Sequence, residues 1–121
     1  MGDTQDHLQI AKKNQDFLIH TEKKIPPFEE WGATILFYIA IHYIEAYLYA
    51  KYEMDPSTHL RRLNILINNT TMPEDIIRLY QTLYNRSIEC RYHNIRLSKA
   101  NYLELKNNNL IKIIDYCNNQ I

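Results

Sequence analysis

Apolar and polar residues alternate along this chain with the period of an α-helix, and five helical segments follow from the pattern. The first is expected from about Thr4 to Lys24, where Ile10, Ala11, Phe17, Leu18 and Thr21 recur at helical spacing among Lys and Gln. Pro26-Pro27 stops it, because proline lacks the N–H and clashes with the preceding turn. The second is expected from about Glu29 to Tyr52. Pro27 stands just before its first turn, and Glu29 and Glu30 suit the positive end of the helix dipole. Between Thr34 and Ala50 its apolar residues cover the whole circumference. A helix of that kind is buried on most sides. It is either the central helix of a small bundle or a helix packed on its own domain and on a second subunit.

Asp55-Pro56-Ser57 reads as a turn and cap, followed by a short helix from His59 to about Asn68 with Leu60, Leu63, Leu66 and Ile67 facing inward. The run Asn68-Asn69-Thr70-Thr71 breaks it. Thr71, with Glu74 three residues on and Pro73 near the first turn, has the form of a capping box for a fourth helix. That helix carries Ile76, Tyr80, Leu83 and Ser87 as one stripe and ends near Arg91 to Asn94. Ser98 is placed to cap the last helix, whose seam is Leu103, Leu110, Ile114, Cys117 and Ile121, and Asn107-Asn108-Asn109 weakens its middle. The expectation is an all-α protein: one domain over residues 1–121, folded as a five-helix up-and-down bundle.

Composition narrows the function classes. Lys plus Arg equals Asp plus Glu at 14 each, so no global field draws the chain to nucleic acid or anionic membrane, and any basic patch is local. Two glycines leave no Gly-rich phosphate loop. Cys90 and Cys117 lie far apart and read as small buried hydrophobes in a reducing compartment. No paired Cys or His-x-x-x-His spacing appears, and neither metal nor cofactor is expected. The amino terminus is rich in Asp, Gln and Lys. The apolar run from Ile35 to Ala50, interrupted by His42 and Glu45, is shorter than the ~20 residues of a membrane span. A cytoplasmic protein without a membrane segment is the expectation.

Three constellations carry candidate chemistry. Arg86 and His93 are seven apart, so on a continuous helix they differ by only ~20° and stand about two turns apart at the edge of the buried stripe. An imidazole can move a proton to or from an RNA 2′-hydroxyl or leaving oxygen, and a guanidinium can hold the phosphate. A surface salt bridge and a histidine at a frayed helix end would give the same pattern. His42 and Glu45, at i and i+3, are neighbours, with Tyr38 and Tyr49 on that side. They form either a tuned proton carrier or a buried polar pair that fixes packing register. His59 and Arg62, with Arg61 adjacent, either border the same groove or form a solvated basic face. Tyr80, Tyr84 and Tyr92 serve packing or base stacking. A nucleotide-sized pocket lined by His42, Glu45 and Arg91 is a third option.

The segment Ile41-His42-Tyr43-Ile44-Glu45-Ala46-Tyr47-Leu48 resembles a helix of the HEPN family, with a hydrophobic run, a polar residue, then Glu/Asp-Ala and Leu. His59-Leu60-Arg61-Arg62 falls where that family often has a His-containing short helix. Tyr80, Leu83 and Tyr84, then Ser87 and Arg91-Tyr92, resemble its penultimate helix. The resemblance spans about Trp31 to Tyr92. It implies a helical bundle that pairs as a homodimer, and a metal-independent ribonuclease acting as a toxin or in antiviral defence. Such a site has an Arg, four to six residues, then a His, doubled at the dimer seam; Arg86 and His93 fit with six between them. Arg86 would bind phosphate and His93 serve as acid and base. Arg91, Tyr92, Arg62 and His59 would contact phosphate or RNA, and Tyr38, His42, Glu45 and Tyr49 would form groove or interface. The Arg91-Tyr92 class often lacks a working pair. The resemblance therefore also implies a non-catalytic dimerisation module that partners a minimal nucleotidyltransferase or other protein, whereas the toxin reading implies an antitoxin partner.

Overall fold

The computed structural model describes residues 4–24, 32–93, 95 and 97–121. These form α1 (Thr4–Lys24), α2 (Gly32–Tyr52), α3 (His59–Asn69), α4 (Glu74–Tyr92), α5 (Lys99–Glu104) and α6 (Ile111–Gln120). A π-helical stretch, Leu105–Leu110, joins α5 to α6 with its flanking residues in α-helical geometry, so the last two helices make one rod. No strand occurs among the described residues, and the fold is an all-α bundle. Pro26-Pro27, Glu29, Glu30, Trp31 and Asn94 lie outside the described residues, as do the side chains of Phe17, Leu18 and Thr21.

The apolar circumference of α2 is explained within one chain. α1, α4 and α6 pack around it, and Leu36, Ile39, Ala40, Ile44, Ala46, Tyr47 and Leu48 are all 0% exposed. Each large aliphatic side chain removed from water in this way contributes about 1.5–3 kcal/mol. Polar contacts pin the neighbours. The Tyr43 hydroxyl donates to Gln15 Oε1 on α1 at 3.1 Å, and Lys51 Nζ donates to Gln120 Oε1 on α6 at 3.0 Å. Tyr38, at 44% exposure, and Ala50 near the carboxyl end are the exposed positions of the stretch from Thr34 to Ala50. At 21 residues, α2 has the length and composition of a membrane span, longer than the apolar run in the sequence suggests, and most of it is covered by its own domain. It ends at Glu53, whose φ of 53° is left-handed, with the Met54 N–H returning to the Leu48 carbonyl at 3.4 Å.

Local pattern misleads at four places. Among the described side chains of α1 the buried positions are His7 and Ala11, while Ile10 is 40% exposed. On α3, Leu60 and Ile67 face outward at 69% and 57%, Leu63 is half-buried, and Arg62 is buried beside Leu66. The cap of α3 is Thr58, whose Oγ1 accepts from the Arg61 N–H, rather than the Asp55-Pro56-Ser57 turn. The expected capping box of α4 is absent. Pro73 is the N-cap with no side-chain bond, the Thr71 N–H donates to the Tyr52 hydroxyl, and Glu74 pairs with Arg78.

The fourth difference lies in the last rod. Leu110, Ile114 and Cys117 are buried as expected, but Leu103 and Ile121 are exposed, and Tyr102, Leu105 and Ile113 take their place. The π stretch sits where the three asparagines weaken the helix. An extra residue per turn rotates the buried face by about 100°, so one α-helical stripe drawn through it fails at the far end. Ser98 caps the rod as its sequence suggests, with Oγ accepting from the Asn101 N–H at 3.1 Å.

Candidate functional site

The polar residues of the bundle gather in two places. The first is an interhelical network. Glu45 on α2 and Arg62 on α3 are both buried, and Arg62 Nε and Nη2 donate to Glu45 Oε2 at 3.3 and 3.2 Å. Arg62 Nη1 donates to the Tyr80 hydroxyl on α4 at 3.2 Å, and that hydroxyl lies 3.0 Å from His59 Nδ1. The His59 ring stacks on Tyr84, centroids 3.5 Å apart and planes within 5°, with Phe37 edge-on at 5.9 Å. Arg62 is thus committed inside the protein and is not a solvated or phosphate-facing cation, because a buried guanidinium without these acceptors would be costly. His59 is walled by aromatics on the same network.

The network continues to α1. His7 Nδ1 lies 3.2 Å from His42 Nδ1 and 3.9 Å from Glu45 Oε1, and His7 Nε2 lies 3.5 Å from Asp55 Oδ1 without hydrogen-bond geometry. Burial raises the Glu45 carboxyl above its ordinary value, with Arg62 and His7 pulling it back. Burial lowers His42, and the charges of His7 and Arg62 push the same way. Burial also lowers His59, reinforced by Arg62 and opposed by Gln81. The fold brings His42 and Glu45 together with His7, one ligand atom of each within 4.8 Å of the others; Glu45 is buried and His42 half-buried. His7 escaped notice because its partners lie 35 and more residues away. The only local signal is its place four residues before buried Ala11, on the inner face of α1.

The second place is a surface groove of about 490 Å³ at the carboxyl end of α4, lined by Arg86 and His93 with Tyr84, Glu89 and Ile95. Helical spacing places both side chains there. Arg86 is half-buried and ion-paired to Glu89. His93 is exposed and closes α4, its backbone N–H donating to the Glu89 carbonyl at 3.1 Å. Arg91 turns back on its own helix, Nε donating to the Ser87 carbonyl at 3.3 Å, with its guanidinium carbon 5.2 Å from the centre of the 69% exposed Tyr92 ring. Hydrogen bonds take His42 and Glu45 to α1 and α3 and Arg91 to Ser87, so the three do not build the pocket considered from sequence. Tyr38 and half-buried Tyr49 flank α2 outside the network. A larger depression of about 970 Å³ borders α3 around Leu60, Arg61 and Asn64; Asp55, which faces His7, lies on its rim, and the Arg86–His93 groove does not share it. Cys117 is buried and Cys90 half-buried, both as free thiols.

No family model, curated protein or solved structure matches this chain.

Proposed function

We propose that this chain is a HEPN-type ribonuclease, acting as a toxin or defence component in the cytoplasm, with its reactive centre in the groove at the end of α4. The supporting observation is that Arg86 and His93, two turns apart on one helix, line the same groove. Arg86 holds the scissile phosphate in place of Glu89. His93 removes the proton of the 2′-hydroxyl, whose oxygen attacks phosphorus, and the 5′-oxygen leaves with a proton. The products are a 2′,3′-cyclic phosphate and a 5′-hydroxyl. One imidazole cannot be base and acid in the same instant. A second copy of the chain, bringing a second Arg86–His93 pair to the seam, supplies the other role.

A competing reading is the non-catalytic HEPN module that binds a nucleotidyltransferase or other protein. The pairing of Arg86 with Glu89 favours it, because that carboxylate neutralises the phosphate-binding charge. One experiment separates the two. Purified protein is incubated with RNA, and the ends are analysed beside Arg86→Ala and His93→Ala. The ribonuclease reading expects cyclic-phosphate ends from the parent and at least a 100-fold loss in either variant, the usual scale for a general acid or base. No cleavage by the parent, or equal cleavage by the variants, refutes it, and a stable dimer without cleavage then favours the binding module.

A further inference from the structure

Local spacing offers no metal motif, yet the fold brings together three donor atoms from α1 and α2. One ligand atom each from His7, His42 and Glu45 fits within 4.8 Å of the others. We propose that this cluster binds one divalent transition-metal ion of the zinc type, through His7 Nδ1, His42 Nδ1 and Glu45 Oε1, and that the ion staples α1 to α2.

One donor distance is already that around a small tetrahedral ion, and a second is close to it. Metal–nitrogen bonds of ~2.0–2.1 Å set neighbouring donors about 3.3 Å apart. The two imidazole nitrogens already stand 3.2 Å apart. Glu45 Oε1, at 3.9 Å from His7 Nδ1, needs to close by about 0.6 Å to reach that edge. Two imidazoles and one carboxylate suit zinc-type ions; magnesium and calcium prefer oxygen alone.

The far sides of these ligands are also arranged for an ion. With a metal on Nδ1, the His7 ring carries its proton on Nε2. That atom is buried, makes no hydrogen bond, and faces Asp55 Oδ1 at 3.5 Å. A carboxylate behind a ligating imidazole fixes its tautomer and strengthens it as a donor. Glu45 Oε2 is held by Arg62, which leaves Oε1 facing the histidines. The carboxylates of Glu45 and Asp55 outnumber the single guanidinium of Arg62, so a cation enters a neighbourhood of net negative charge. His42 is half-buried, so the cluster lies at the edge of the core rather than at its centre. The site shares no residue with the Arg86–His93 groove and does not depend on the ribonuclease reading.

The test uses the full chain stripped with chelator and titrated with Zn²⁺ by calorimetry, and with Co²⁺ by visible absorption. The expected result is one ion per chain at a Kd of about 1 µM or tighter, with the d–d bands of four-coordinate cobalt and a Tm that rises with Zn²⁺. His42→Ala is expected to weaken binding at least 100-fold. Asp55→Asn, which touches the ion only through His7, is expected to weaken it about 10–100-fold. His93→Ala, a control for adventitious surface binding, leaves it unchanged. Circular dichroism establishes that each variant is folded; should His42→Ala fail to fold, Asp55→Asn decides. Binding that does not saturate at one ion, or that folded His42→Ala or Asp55→Asn retains at full strength, overturns the proposal.

Discussion

Removing the Glu45 carboxylate is the most revealing perturbation of this fold. Glu45 and Arg62 are 6% and 5% exposed and bonded through two guanidinium nitrogens. In Glu45→Leu the guanidinium stays buried with only the Tyr80 hydroxyl as acceptor. Breaking a buried pair from one side costs about 3–5 kcal/mol, because the surviving charge is uncompensated. Unfolding entropy near 2.1 cal/mol/K per residue gives about 0.25 kcal/mol/K for 121 residues, so the expected drop in Tm is about 12–20 °C. The double variant Glu45→Leu/Arg62→Met removes both charges and replaces them with apolar groups of similar size. Such replacements are often neutral or stabilising, so it is expected to recover most of the loss. Urea unfolding followed by circular dichroism, completed as a cycle with Arg62→Met, measures the coupling. A loss below about 1 kcal/mol in Glu45→Leu, or a double variant equal to the sum of the singles, would refute the view that these two charges are buried against each other.

Two further outcomes are expected. The His59 imidazole is held below its ordinary value of 6.5 by burial and by Arg62, so the unfolded chain takes up its proton first. Stability is therefore retained above about pH 6.5 and falls as the pH drops below it, by up to about 1.4 kcal/mol per unit, until the folded ring titrates too. Urea midpoints of the parent and of His59→Gln across that range check this; the variant keeps the slope that His42 supplies and the opposing one from the raised Glu45 carboxyl, and a slope equal to the parent's refutes it. At the end of α2, Glu53 has a left-handed φ of 53°, which costs a residue with a Cβ about 1–2 kcal/mol. After the greater freedom of glycine in the unfolded chain, Glu53→Gly is expected to stabilise by about 0.5–1 kcal/mol in thermal unfolding, and a net loss counts against it.

Helix bounds were legible because local chemistry sets them. α2 ends where the period and the turn residues say, and Ser98 caps α5 by its own hydroxyl. Faces were less legible, because distant partners decide them. Arg62 looks like a surface residue until Glu45, 17 positions earlier in the chain, supplies its counter-charge. Leu60 and Ile67 then turn outward although they are the more apolar residues. In the last rod the three asparagines signalled a weak point, but the π register that shifts the buried face was not visible in composition. Of the candidate chemistry, the His42–Glu45 adjacency and the shared side of Arg86 and His93 followed from helical geometry. The addition of His7 required the packing of α1 on α2.

The enclosure of α2 changes what a second subunit would be for. Its apolar circumference admitted two explanations, and one chain already supplies the covering, through α1, α4 and α6. A dimer is therefore not needed to bury this helix. The case for one rests instead on the end of α4, where Tyr92 and Ile95 stand 69% and 47% exposed beside the Arg86–His93 groove. Aromatic and aliphatic groups around an open polar groove suit an interface rim. The chemistry proposed there also needs a second imidazole. In the proposed ribonuclease, pairing and catalysis would therefore depend on the same surface, and the flank of α2 at Tyr38 and Tyr49 would not be the seam.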